Sequence, residues 1–92
     1  MINQDLQLQL HNAGYKGEFE LSELIEACIA IKPDELICIG HAMYDKDYFH
    51  AAFYENETVV GVMPKQTISV FGETLEEAVA NLWLRINERH YN

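Results

Sequence analysis

A chain of 92 residues with 15 acidic and six basic side chains, formal charge −9, has room for one domain with one modest core. Its hydrophobic fraction of 49% against 23% charged excludes an intrinsically disordered chain, and no apolar run approaches the ~20 residues that span a bilayer. The basic residues (Lys16, Lys32, Lys46, Lys65, Arg85, Arg89) are scattered, which excludes a dedicated binder of nucleic-acid phosphates, so neither nucleic acid nor membrane is an expected partner.

The opening "MINQDLQLQL" has no basic region followed by an apolar block, so no secretory leader is expected and the cytoplasm is the default location. In residues 1–17, Ile2, Leu6, Leu10 and Ala13 recur at helical spacing and Gly14 supplies a stop, which predicts a short helix. Leu6, Leu8 and Leu10 also alternate, so a strand is the rival reading. From 21 to 31 the helix pattern is clearer. Leu21, Leu24, Ile25, Cys28 and Ile31 share one face, Glu23, Glu26 and Ala30 the other, and Pro33 ends the run.

Sheet follows. Residues 35–43 and 48–54 read as strands around a turn at 44–47. A turn at Asn56 leads to a third strand at 58–63, and Pro64-Lys65 to a fourth at 66–71. Connections this short pair the strands as an antiparallel meander. The chain then enters its best-marked helix, 74–89. Thr74 is placed to cap it, accepting from the Glu77 N–H, with Glu77 reaching back to the Thr74 N–H. Glu76 and Glu77 sit at the positive end of the helix dipole. Leu75, Val79, Leu82 and Ile86 form its apolar stripe with Ala78 and Trp83 at the edges, while Leu84 and Ala80 point away from the core. The expected fold is one α+β domain over 1–92: an antiparallel sheet of three to four strands with the helices at about 21–31 and 74–89 on one face.

A four-residue loop at 44–47 would set Met43 against Tyr48, His41 against His50, Ile39 against Ala52 and Ile37 against Tyr54. Cys38, Gly40, Ala42, Phe49, Ala51 and Phe53 would then face the helices. The other face would carry Ile37, Ile39, His41, Met43, Tyr48, His50 and Tyr54, a charge-poor and aromatic set with the composition of an interface core. With Leu84 as an extension, these residues are the candidate contact surface for a second copy or another protein. His41 and His50 could hold a metal with Asp45 or Asp47, but two histidines are too few for a defined site, and no cofactor is expected. Cys28 and Cys38 lack CxxC spacing and are expected reduced and mostly buried. No GxSxG, HExxH, GxGxxG or phosphate-binding glycine loop occurs, so a non-enzymatic role is the expectation.

"ELIEAC" (23–28), a small sheet, then "GETLEEAVANLWLRIN" (72–87) resembles small phage and prophage proteins of the helix–sheet–helix (ABA) sandwich kind, over residues 20–88. The resemblance implies architecture and a mobile-element origin more than an activity. A weaker likeness, carried by "GVMP" (61–64) and "ISVFGETLEEAVANL" (68–82), is to HicB-type antitoxins, and implies an inhibitor role.

Overall fold

The computed structural model describes residues 2–43, 47–56, 61 and 64–91, excepting the side chains of 42, 43, 47 and 89–91. Helix α1 (Gln4–Asn12) starts at Asn3, whose side-chain oxygen accepts the Leu6 N–H at 2.8 Å. Gly14, at φ +98°, supplies the left-handed residue that stops it. Ile2, Leu6 and Leu10 are buried, while Leu8 is 58% exposed, so the helical period prevails over the alternating one. Helix α2 (Leu21–Ile31) buries Leu24 and Cys28. Its last turn closes through the Lys32 N–H on the Cys28 carbonyl, just before Pro33.

Strands β1 (Glu35–Met43), β2 (Asp47–Glu55) and β3 (Gln66–Gly72) form an antiparallel sheet in the order β1-β2-β3. The strand expected at 58–63 falls outside the described residues apart from Gly61, and β3 is the strand expected at 66–71. The β1–β2 register is one residue off the expected one. Met43 stands opposite Asp47, His41 opposite Phe49, Ile39 opposite Ala51 and Ile37 opposite Phe53. Because side chains alternate, a one-residue slip moves a whole strand's set to the other face. Ile37 and Ile39 therefore pack toward the core with Phe49, Ala51 and Phe53, while Cys38 and Gly40 lie on the open face. The faces of β2 are as expected.

Helix α3 (Leu75–Tyr91) approaches all three strands as well as α1 and α2. The α+β fold with helices packed on the sheet is thereby established. Contact on two sides changes what α3 buries. Ala78, Val79, Ala80, Leu82, Trp83 and Ile86 are all buried, an arc of about 200° at ~100° per residue. A helix with one packed side shows a stripe closer to ~100°. Ala80 and Leu84, expected to point outward, are accordingly drawn in: Ala80 is buried and Leu84 packs against the core. Cys28 donates its thiol to the Val79 carbonyl at 3.6 Å, and Asn81 donates to the Phe71 carbonyl at 2.8 Å, tying α3 to both of its neighbours.

Candidate interaction face

The sheet side away from the helices is built from alternate residues of each strand. The ladder arranges them in rows across the strands. Leu36, Tyr54 and Gln66 form the first row, then Cys38, Ala52 and Ser69, then Gly40, His50 and Phe71, with Tyr48 beyond. A bulge between Phe53 and Tyr54 takes up the extra residue Thr67, whose hydroxyl donates its one hydrogen to the Glu35 carboxylate, with the Phe53 carbonyl a second, longer acceptor at 3.3 Å. Among the described strand residues, no Lys, Arg, Asp or Glu belongs to this face. Its large apolar members are open to solvent: Leu36 is 46% exposed and Phe71 58%. Exposed phenylalanine and leucine on one strand-built surface is the unusual observation, since scattered single apolar residues are ordinary.

Aromatic contacts hold the relief in place. The Tyr48 and Phe71 rings meet edge to face at 5.2 Å. The His50 ring leans over Gly40, filling the space where a Cβ would stand. Ala52 is fully buried between these taller neighbours. The row Cys38–Ala52–Ser69 is thus a shallow trough of small side chains between two ridges.

Of the residues expected at an interface, Tyr48, His50 and Tyr54 lie on this face. Ile37, Ile39 and His41 lie on the other one. His41 is at its margin, exposed, with its ring 4.9 Å from that of Phe49. The Met43 side chain, with Asp45 and the Asp47 side chain, is outside what is described. Leu84 borders a groove beside β3 that it shares with Ser69 and Phe71 of the open face and with Asn81 and Arg85. His41 and His50 sit on opposite sides of the sheet, which removes them as a shared metal site. Among the described residues, no group of three or more His, Cys, Asp or Glu could hold a metal ion, and no helix is long and apolar enough to cross a membrane.

No protein-family model, curated protein or solved structure matches the chain. The face is therefore read from its own chemistry. Sequence reasoning missed Leu36, Cys38 and Phe71 there, and buried Cys38 wrongly: its thiol is exposed while Cys28 is enclosed. In β2 phenylalanine marks the dry side and tyrosine the wet one, but β1 is apolar on both sides, so no signal in it says which of its sets joins the tyrosine face.

The helix-start residues do structural work. Thr74 Oγ1 accepts the Glu77 N–H at 3.1 Å, as expected. Glu77 reaches back one residue further than expected, to the Glu73 N–H at 3.3 Å, and its other oxygen accepts from Asn3 Nδ2 at 3.4 Å. One carboxylate thus joins the starts of α1 and α3.

Proposed function

We propose that this chain is a non-enzymatic protein-binding module of a phage or mobile element, acting in the host cytoplasm and docking through its open sheet face. The observation that carries this reading is the exposed, charge-free row set around Leu36, Tyr54 and Phe71 in a chain whose net charge is −9. Charge depletion with aromatic enrichment is what distinguishes the centre of a binding patch from ordinary surface. The antitoxin reading gains nothing comparable: Gly72, Thr74 and Glu77, which carry that likeness, are occupied in joining β3 to α3. The metal-dependent enzyme loses its histidine pair to the register.

A photo-reactive benzoylphenylalanine placed at position 71 preserves an aromatic side chain on the face. Irradiation in cells should give protein adducts from position 71 and none from position 8, an equally exposed site on α1. Adducts of neither kind, or of both equally, would sink the docking reading.

A further inference from the structure

We propose that the occupant of the open face is a second copy of this chain, in a reversible face-to-face dimer; this rests on the docking reading above. The first argument is charge. Two chains of −9 repel wherever their acidic surfaces meet, and the described strand residues of the open face bring no charge, the nearest carboxylates, Glu73 and Glu77, standing at its Tyr48–Phe71 end. Stacking there turns both helix layers outward and holds their carboxylates apart. A basic partner would instead be drawn to those helix layers and to the Glu73–Glu77 margin, away from the uncharged strand rows.

The second argument is coverage. A twofold axis across the strands along Cys38–Ala52–Ser69 sets the row of Leu36 on one copy over the row of Phe71 on the other. The two most exposed apolar side chains of the face, Leu36 and Phe71, then leave solvent together on both copies. Aligned stacking of two sheets is an ordinary packing mode, at roughly 10 Å separation.

The third is area. Three strands at ~4.8 Å spacing and about nine residues at ~3.3 Å give a footprint of roughly 400 Å² on each copy. Two such faces bury about 800 Å², half the standard ~1,600 Å² interface and in the range of weak, reversible association. A tight complex with a rigid foreign protein would need about twice that footprint.

Sedimentation of the reduced protein over a dilution series reaching millimolar concentration tests this. Wild type should pass from monomer to dimer, and a short bismaleimide should join chains through the exposed Cys38 thiols. Leu36→Glu and Phe71→Glu, at exposed positions on opposite strands, should each raise the dimer dissociation constant by about tenfold or more and suppress the cross-link, with unchanged circular dichroism. Leu8→Glu should change neither. A wild-type monomer at every concentration overturns the proposal, as does a dimer that survives both face substitutions or is lost in Leu8→Glu. If a face variant fails to fold, the wild-type cross-link still decides. Foreign-protein adducts at position 71 from a monomeric chain would remove the second copy and leave the docking reading standing; no adducts at all would remove both.

Discussion

Gly72 lies against the first turn of α3 so closely that a Cβ there would stand 2.8 Å from the Glu77 carbonyl carbon and 2.9 Å from Ala78 Cα. These are backbone atoms of a helix end and cannot swing aside. The glycine is required by space, since its φ is not in the left-handed region. Gly72→Ala should therefore destabilise the fold by about 1–3 kcal/mol, the cost of overpacking. Gly40→Ala meets only the end of the His50 side chain, at 2.7 Å, which can rotate away, and should cost under ~1 kcal/mol. Urea unfolding of both variants checks the contrast.

The Thr74 hydroxyl satisfies one otherwise unpaired N–H at the start of α3. Thr74→Ala should cost about 1 kcal/mol and Thr74→Ser only a few tenths. Equal losses in the two would place the effect in the threonine methyl group.

The first hairpin shows where the sequence is ambiguous. Helices could be located from period and caps: α2 runs over the residues expected, and α3 starts at the expected cap. The positions of the three described strands were equally legible. The pairing was not, because β1 is apolar on both sides: Ile37 and Ile39 on one, Leu36 and Cys38 on the other. Alternation fixes register only when one set is polar. The outward position assigned to Leu84 failed for a different reason. It took α3 to have one packed side, and burial on two sides is a tertiary property that no local pattern encodes.

The two thiols should differ sharply. Native protein should label rapidly at Cys38 and not at Cys28 until unfolded. Burial pushes the Cys28 thiol up to about 12 from an ordinary 9.0. The folded state thus keeps a proton that the unfolded chain releases. The resulting stability is fully present below pH 9 and is lost as pH rises from there toward 12, by at most about 1.4 kcal/mol per pH unit. Burial also raises the Tyr15 hydroxyl, with the Glu23 charge adding to it, so wild type must be compared with Cys28→Ala. The alkaline slope should be shallower in the variant, and parallel slopes would refute the assignment.

Glu35 gives the acid counterpart. Partial burial raises its carboxyl, but hydrogen bonds from Lys32 at 2.7 Å and from Thr67, with the Lys32 charge, outweigh burial and leave it below its ordinary 4.5. The unfolded chain protonates first as pH falls, so the contribution is present above pH 4.5 and lost below it. Glu35→Gln should cost about 1 kcal/mol at pH 7, with the gap from wild type closing in acid. Chemical denaturation at pH 7 and pH 3.5 measures both ends.

The central place of α3 has a consequence for synthesis. On the ribosome, α1, α2 and all three strands emerge before the helix that joins them, so the nascent chain carries an apolar sheet and two amphipathic helices with little to bury them against. Most of the core forms only when residues 75–91 clear the exit tunnel, and contacts such as Asn3 with Glu77 and Asn87 with the Ala13 carbonyl then close a loop spanning nearly the whole chain. The ribosome-bound segment therefore stays exposed and chaperone-seeking until residues 75–91 have cleared the tunnel, and acquisition of protease resistance should be a single event at that point instead of a gradual one.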